Sequence, residues 1–477
     1  MDASIVVVLG VLGAGCLLAD ATVGRGEVTL VERLLADLAW GPAIVAGLLS
    51  LTGFASLAVG LGQAGRGTLL AALAVAGLVA AAKRRSRPPL DASPPRSSAA
   101  GDRDALLSWT AVVAVTAGYG WSFLRWLSQR PLGSWDGMGI WTYRALQWFR
   151  AGDAFPSTIG LLVESKPGYP LLVPGLVTAE LTLWGAETTV IPVATGWFWV
   201  LAAAAATALA VARRAPAAVA PAAAALLLST PMVWNAAFGQ GADLAVAALA
   251  VVAALGLGDL VVGDRPASAP AWLIGLVLGL MVWTKNEGAI LASLLLVVAA
   301  VVARGRLTRR PRWTDWLGLA IGAVPGIAAT VVLKTLWATS GEVERYLAPD
   351  LWSRLADPSR WQTVAGAFAS RLVPWNGEAL WGGTLVLLGG LAALAVVRRP
   401  AGGAAVAAAL FGAPVLLSLA IDAGIYLITP EPLEWHLRTS LDRLGLQLLP
   451  LAVVAVLGGL VVSDPEPWTP KAGSGVP

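Results

Sequence analysis

Apolar residues dominate the chain in long stretches, many of them close to the ~17–25 residues that cross a lipid bilayer as a helix. These stretches lack the alternation of apolar and polar residues that marks a membrane-spanning strand. Because only helices and closed barrels satisfy their backbone hydrogen bonds within lipid, the pattern predicts an all-α, polytopic transmembrane bundle. The predicted spans, 13 in all, are 5–19, 38–61, 67–82, 105–127, 188–212, 216–234, 241–262, 270–284, 286–303, 314–337, 379–397, 401–428 and 444–463.

The composition also indicates a membrane protein. Of the 477 residues, 57% are hydrophobic and 13% are charged, whereas soluble domains carry about 25% charged residues. This argues against a soluble enzyme, a disordered chain and a nucleic-acid-binding protein. Cys16 is the only cysteine, so the chain forms no intramolecular disulfide and no thiolate metal cluster. No basic residue precedes the first apolar stretch, which we therefore expect to be a retained span and not a signal peptide.

Clusters of basic residues predict the orientation, because such clusters remain in the cytoplasm. The clusters are Lys83 to Arg87, Arg213-Arg214, Arg304 to Arg312 and Arg398-Arg399. All of them face the cytoplasm only if the apolar piece 167–185 does not span the membrane. Pro170 and Pro174 interrupt this piece, so we expect it to lie at the interface or to re-enter the membrane. The N-terminus is then outside and the C-terminus cytoplasmic, in a multi-pass protein of the cell membrane.

The chain divides into parts that differ in polarity and in the number of predicted spans. They are a three-span N-terminal part at 1–82, a Pro-, Ser- and charge-rich cytoplasmic linker at 83–104, a core at 105–337 with a large outer loop at 128–187, an outer segment at 338–378, and C-terminal spans with a cytoplasmic tail at 379–477. The outer segment matches no motif, and we expect it to take part in the choice of a partner molecule.

The first outer loop contains an unusual acidic residue. Asp136 is flanked by Trp135 and Gly137, and the helix predicted to follow carries Trp141 and Trp148 on one apolar face. An amphipathic helix of this kind lies along a membrane surface. Asp136 is either the N-cap of this helix or a general base that faces a substrate.

Other polar corners are predicted on the same side of the membrane. They are Trp234 to Asp243, Lys285 to Gly288 and Glu434 to Arg443. Lys285, Asn286 and Glu287 separate two apolar spans with almost no loop, and ionisable residues there are costly unless they meet partners or a wet cavity. His436, the only histidine, is either a hydrogen-bonded structural group or a ligand. Most of the 22 tryptophans are expected to form interfacial belts.

The first outer loop resembles that of the GT-C glycosyltransferases, in which a Trp-Asp-Gly motif, a tryptophan-rich surface helix and a Lys-Pro-Gly-Tyr-Pro motif follow one another. Here these motifs are Trp135-Asp136-Gly137 and Lys166-Pro167-Gly168-Tyr169-Pro170. The nearest likeness is the bacterial branch related to protein O-mannosyltransferases and the lipid A aminoarabinose transferase. The resemblance covers about 105–300 and, more loosely, 430–463. The GT-C fold implies surface-lying helices in the first outer loop.

The resemblance implies glycosyl transfer on the extracytoplasmic face, from a polyprenyl-phosphate-linked sugar to a hydroxyl of a glycan, lipid or protein. It implies that Asp136 is the base of an inverting displacement and that Lys166 binds the donor phosphate. Cations placed beside a leaving phosphate lower the barrier, and Lys285, Arg438 and Arg443 are further candidates. The residues expected to bind or stack on the sugar or the acceptor are Glu164, Tyr169, Asn286, Glu287, His436, Trp135 and Trp141.

The chain departs from the GT-C pattern in two places. Gly137 follows Asp136 where many relatives carry a second acid, so Glu164 is the candidate for that acid; Lys166-Pro167 stands where many relatives carry His-Pro. We therefore expect no tightly bound metal or other cofactor. A divalent cation, Mg²⁺ or Mn²⁺, is the alternative and would need oxygen ligands such as Asp136 and Glu164.

Two other functions compete with transfer. A transporter or lipid flippase would place ionisable residues near the bilayer midplane on broken helices. The candidates are few: Glu180, if the piece 167–185 inserts, and Asp243, Lys334 and Asp422, which are expected nearer the outer ends of their spans. An assembly or anchoring subunit would keep the fold without activity. Polar residues that gather at the outer surface favour an enzyme that takes a lipid-linked substrate from the leaflet.

Overall fold

A computed structural model describes residues 3–22, 30–61, 109–110, 112, 116–118, 129, 132–161, 166–215, 219–262, 269–305, 311–338, 345–347, 349–372 and 403–460. Every regular element within these ranges is helical, as the sequence pattern predicts. The helices are α1 (Ile5–Thr22), α2 (Leu30–Ala58), α3 (Thr142–Ala151), α4 (Phe155–Thr158), α5 (Leu172–Trp184), α6 (Val190–Ala212), α7 (Val219–Leu228), α8 (Pro231–Phe238), α9 (Asp243–Val262), α10 (Ala271–Thr284), α11 (Asn286–Arg304), α12 (Trp313–Val332), α13 (Leu351–Ala356), α14 (Pro358–Leu372), α15 (Gly403–Ile428) and α16 (Leu433–Leu460). A π-helical turn, Gly137–Trp141, precedes α3, and another, Leu333–Trp337, follows α12.

The described helices support a multi-pass membrane protein. Seven of them are long and apolar enough to cross a bilayer, and the bent pair α7 and α8 would add an eighth if it forms one span. The predicted spans 67–82 and 379–397 lie outside the described residues, and 105–127 is described at only a few positions. The predicted total of 13 spans and the GT-C fold therefore remain predictions.

The core of the bundle lies around α6 and α9. Almost all of their side chains are buried by neighbouring helices, whereas fewer than half of the residues in the apolar windows of α11 and α12 are buried. A helix that is apolar on all faces belongs in such an interior position. The apolar sequence of α9 therefore has two explanations: α9 lies at the centre of the bundle, and it is long enough to cross a membrane.

Two predicted boundaries differ from the structure. The span expected at 216–234 is broken into α7 and α8, which are bent by 58°; Pro231 begins α8, where its missing amide hydrogen costs nothing. The stretch from Glu434 to Arg443, expected as a loop, forms the first turns of α16. No proline or glycine lies between Leu433 and Arg443, so nothing in this stretch ends the helix.

The outer segment 338–378 also contains helices, α13 and α14, which cover one end of α15. Arg360 donates hydrogen bonds to the carbonyls of Tyr426, Leu427 and Thr429 over 3.0–3.1 Å, and Arg354 donates to the carbonyl of Ile428. The last carbonyls of a helix have no partner within the helix. The two arginines therefore complete the C-terminal end of α15, a role that no sequence motif had indicated.

The two ends of α9 carry separate groups of charges. Asp243 is its first residue, and Asp259, near the other end, forms an ion pair with Arg213. The neighbouring Arg214 lies over the ring of Phe411, with its guanidinium carbon 4.7 Å from the ring centre. Asp259 follows Asp243 by 16 positions, which corresponds to about 24 Å of helix, most of the hydrocarbon thickness of a bilayer, about 30 Å.

Helices α10 and α12 pack closely because glycines line their contact. A Cβ atom on Gly322 would lie 1.9 Å from the carbonyl oxygen of Trp272, and one on Gly326 would lie 2.1 Å from that of Gly279. Small residues at such contacts let two backbones approach and pack in a membrane. This contact joins the two helices from the beginning of α10, at Trp272, to its middle, at Gly279.

We expect Gly322→Ala to destabilise the protein, because its new methyl group would force α10 and α12 apart, at a cost of about 1–3 kcal/mol. The matched control is Gly366→Ala within α14, where a Cβ meets no atom within 4 Å; alanine there should stabilise the helix by about 0.5–1 kcal/mol. Thermal unfolding in one detergent measures both variants. Equal melting temperatures for the two variants would contradict the close packing.

Candidate functional site

One buried carboxylate connects two helices and the link between two others at one end of the bundle. The side chain of Asp243 is 3% exposed. Its Oδ1 atom accepts hydrogen bonds from Lys285 Nζ at 2.8 Å and from Gln447 Nε2 at 2.6 Å. Its Oδ2 atom accepts one from Arg443 Nε at 3.0 Å. The start of α9, the connection between α10 and α11, and α16 therefore meet at Asp243.

Two further carboxylates extend this arrangement. Lys285 Nζ lies 3.1 Å from Glu287 Oε1, and Arg443 Nη1 forms an ion pair with Asp136 Oδ2. We call these five residues, Asp136, Asp243, Lys285, Glu287 and Arg443, the ion-pair network. It contains three carboxylates and two cations, and its side chains come from four separate parts of the sequence.

The local backbone explains how each member reaches the network. Lys285 is extended (φ −162°, ψ 156°) between two helices, so α10 and α11 turn back within one residue. Arg443 and Gln447 are four residues apart and share one face of α16. Asp243 lies in the first turn of α9, where the partial positive charge of the helix favours a carboxylate.

The position of Asp136 depends on a contact between the first outer loop and the turn before α9. The hydroxyl of Ser134 donates to the carbonyl of Gly239 at 2.9 Å, and a Cβ on Gly137 would lie 2.5 Å from the same oxygen. Only glycine fits at residue 137 without a shift of the backbone. The side chain of Asp136 forms no capping hydrogen bond to the helical turn that follows, so its interpretation as an N-cap is wrong.

Burial and charge act in opposite directions on Lys285, which lies between two helices. Burial alone would lower its pKa, but the carboxylates of Asp243 and Glu287 outweigh burial and raise the pKa above the ordinary lysine value. Lys285 therefore stays charged at neutral pH although its side chain is only 3% exposed. The carboxylates enclose Lys285, so it orders the site instead of presenting an open cation.

The Lys-Pro-Gly-Tyr motif is folded around a buried arginine. Arg144 of α3 is fully buried and donates to the carbonyls of Pro167 at 2.8 Å and Tyr169 at 2.6 Å. Trp141 packs against Tyr169, with the ring centres 5.8 Å apart. The two motifs that resemble the GT-C loop are thus joined through the helix between them. Burial lowers the pKa of Arg144 to about 9, and the guanidinium remains charged at neutral pH.

Lys166 forms no ion pair with the network within the described residues. Its backbone is left-handed (φ 52°), a conformation that non-glycine residues adopt rarely and often at functional sites. Among the contacts of the described residues, none joins the Lys166 ammonium to Asp136 or Arg443. The role of Lys166 at a donor phosphate therefore stays a prediction.

The other predicted site residues differ in their contacts and in their exposure. His436 and Asn286 are held by partners: His436 Nδ1 lies 2.8 Å from the hydroxyl of Thr429, and Asn286 Oδ1 accepts from Lys334 Nζ at 2.6 Å. The contact between His436 and Thr429 favours the interpretation of His436 as a structural group. Trp135 and Arg438 are exposed, whereas Trp141 is 1% exposed. Glu164 lies outside the described residues.

Sequence reasoning assigned no site role to Asp243, Gln447 or Arg144. An acid in the first turn of a helix and a glutamine within an apolar span carry no distinctive motif. One feature of the sequence did point to Asp243: ionisable residues are rare within membrane helices. For that reason Asp243 was considered as a candidate residue of a transporter. No group of three metal-ligating side chains occurs in the described residues, and the need for a divalent cation remains a prediction.

We expect Lys285→Met to destabilise the protein by about 3–5 kcal/mol, because it leaves buried carboxylates without their cation. The matched control is Lys166→Met, which removes a lysine that forms no ion pair within the described parts of the chain. Thermal unfolding of the two variants in detergent gives the comparison. Equal melting temperatures would mean that Lys285 contributes no more to stability than Lys166, a partly exposed lysine, does.

The raised pKa of Lys285 also predicts how stability depends on pH. A folded pKa above the unfolded value of about 10.4 means that pairing stabilises the protein fully below that pH. This stabilisation should be lost as the pH rises through the raised pKa. Unfolding measured from pH 8 to pH 12 should show an alkaline loss in the wild-type chain that is smaller in Lys285→Met.

Comparison with known proteins adds no relative to this description. No known protein family, no curated protein and no solved structure matches the chain. Support for a function therefore comes from the geometry of the ion-pair network and from the resemblance of the chain's first outer loop to that of the GT-C glycosyltransferases.

Proposed function

We propose that the chain is an integral membrane glycosyltransferase that moves a sugar from a polyprenyl-phosphate-linked donor to a hydroxyl acceptor. The observation that supports this is the ion-pair network, in which the carboxylate of Asp136 and the guanidinium of Arg443 meet at one end of a membrane bundle. A base for the acceptor and a cation for a leaving phosphate are the two groups that such a displacement needs.

The proposed reaction is a single displacement at the anomeric carbon. Asp136 takes the proton of the acceptor hydroxyl, whose oxygen forms the new bond to this carbon. The bond from the anomeric carbon to the phosphate oxygen breaks, and its electron pair stays on the polyprenyl phosphate. Attack from the side opposite the leaving group inverts the configuration.

The other residues of the network have supporting roles in this proposal. Arg443 compensates the charge that grows on the leaving phosphate. Asp243 and Lys285 are positioning residues, because they fix Arg443 and Glu287 without facing open space. The Oε2 atom of Glu287 is buried and has no hydrogen-bond partner within the described residues, so it can accept a hydrogen bond from a sugar hydroxyl.

The two ends of α9 support an extracytoplasmic site. Arg213 and Arg214 lie near Asp259, about 24 Å along the helix from Asp243. If these arginines are cytoplasmic, as basic clusters usually are, the network faces the extracytoplasmic side. A lipid-linked donor in the outer leaflet would then be within reach of the proposed site.

The alternative is a transporter or flippase of lipid-linked sugars. The 58° bend between α7 and α8 favours it, since broken helices are common at transport sites. Asp136, Asp243 and Lys285, however, lie at the beginnings of helices or between them, and not at the middle of long spans. This position favours an enzyme that works at the membrane surface.

We expect Asp136→Asn to lower transfer by about 100-fold or more, because the amide cannot accept the proton. The matched control is Asp442→Asn, which also removes one negative charge from this end of the bundle but disrupts an exposed pair with Arg371. Mass spectrometry of cell-envelope glycans and glycoproteins, in cells that lack the gene and cells that carry each variant, provides the measurement.

Two results would count against the proposal, each in a different way. Full restoration of the glycans by Asp136→Asn, at a normal level of protein in the membrane, would remove Asp136 as the base. Envelope glycans that do not change when the gene is deleted would argue against transfer itself and favour the transporter or anchoring alternatives.

A further inference from the structure

The two carboxylates on Arg443 are held in different ways. Asp243 accepts a hydrogen bond from Arg443 Nε, its side chain is 3% exposed, and Lys285 and Gln447 fix it from other sides. A charge so enclosed cannot leave its partners without a large cost in solvation. Asp243 therefore holds the guanidinium in one place by its Nε edge.

Asp136 is held by fewer partners than Asp243. Its Oδ2 atom forms an ion pair with Arg443 Nη1, which is its one partner among the described contacts, whereas Asp243 has three. The side chains of Asp136 and Arg443 are 23% and 32% exposed, so a part of each is accessible to an incoming molecule, whereas Asp243 is enclosed. An ion pair that is partly exposed contributes less to stability than an enclosed one.

We propose that Arg443 exchanges the carboxylate of Asp136 for the phosphate of the donor, so that the base is released only when donor is bound. This inference rests on the proposed function and adds an order of events to it. A guanidinium binds phosphate and carboxylate through the same planar arrangement of donors. A phosphodiester brings one negative charge, so it replaces Asp136 on Arg443 without changing the charge that this cation balances.

The exchange couples donor binding to the activation of the base. A carboxylate oxygen that pairs with a guanidinium is occupied, and it becomes available to an acceptor hydroxyl when the pair opens. An acceptor hydroxyl that arrives before the donor would therefore meet Asp136 while it is still paired with Arg443. After the exchange, Arg443 lies on the leaving group and Asp136 is free for the acceptor.

The test is a binding measurement. If the carboxylate of Asp136 competes with the donor phosphate for Arg443, removing that carboxylate must strengthen the binding of the phosphate. The full chain in nanodiscs is titrated with radiolabelled farnesyl phosphate and, separately, with inorganic phosphate. Asp136→Asn should bind farnesyl phosphate about three- to tenfold more tightly than the wild-type chain. Asp442→Asn should stay within about twofold of wild type, since Asp442 pairs with Arg371 and not with Arg443.

Two further arms make the result specific. Arg443→Gln should lose most of the binding, and adding Asp136→Asn to it should have no further effect because the exchange partner is gone. Tighter binding of inorganic phosphate as well would mean that the phosphate group alone drives the exchange. Tightening for farnesyl phosphate only would mean that the prenyl chain is needed to bring the phosphate to Arg443.

The outcomes separate this inference from the proposed function. Unchanged or weaker binding of farnesyl phosphate by Asp136→Asn, with normal thermal stability, overturns the exchange but leaves transfer untouched. Equal tightening by Asp136→Asn and Asp442→Asn also overturns it, because general electrostatics would then explain the effect. No binding to either the wild-type chain or Asp136→Asn overturns both the exchange and the polyprenyl-phosphate donor.

Discussion

The carboxylate of Asp243 is removed from water inside a membrane bundle, and its neighbours must compensate the whole cost of that burial. Lys285, Arg443 and Gln447 do so by direct hydrogen bonds. A buried charge with incomplete partners costs several kcal/mol. The positions of α9, α16 and the connection between α10 and α11 are therefore tied to one another. Asp136 reaches its cation only because this arrangement fixes Arg443.

The class of the fold could be predicted because lipid leaves few options to a backbone. Long apolar stretches without alternation predicted helices, and helices are what the described residues form. The apolar face of the loop helix was also predicted correctly, since Trp141 and Trp148 are both buried. The boundaries were less certain: the break between α7 and α8 and the early start of α16 depend on local contacts that periodicity does not record.

The candidate site could be predicted only in part. Asp136, Lys285, Glu287 and Arg443 stood out because polar residues are rare in this chain, and the structure brings them together. Lys166 was expected beside them, and no contact among the described residues joins it to them. Asp243 joins residues up to 204 positions away in the chain, and no spacing in one sequence encodes such a pairing. The role of Arg144 was missed for a similar reason, because its partners are backbone carbonyls of a distant turn.

The wide separation of these partners has a consequence for how the protein is made. A ribosome delivers the helices in order, so Asp243 enters the membrane long before Arg443, 200 residues later, has been synthesised. Lys285 follows Asp243 by 42 residues and can neutralise it early, within the hairpin of neighbouring helices. The pair between these two side chains would thus act first as an aid to insertion. Asp243 gains its remaining partners, Arg443 and Gln447, only after α16 has been synthesised.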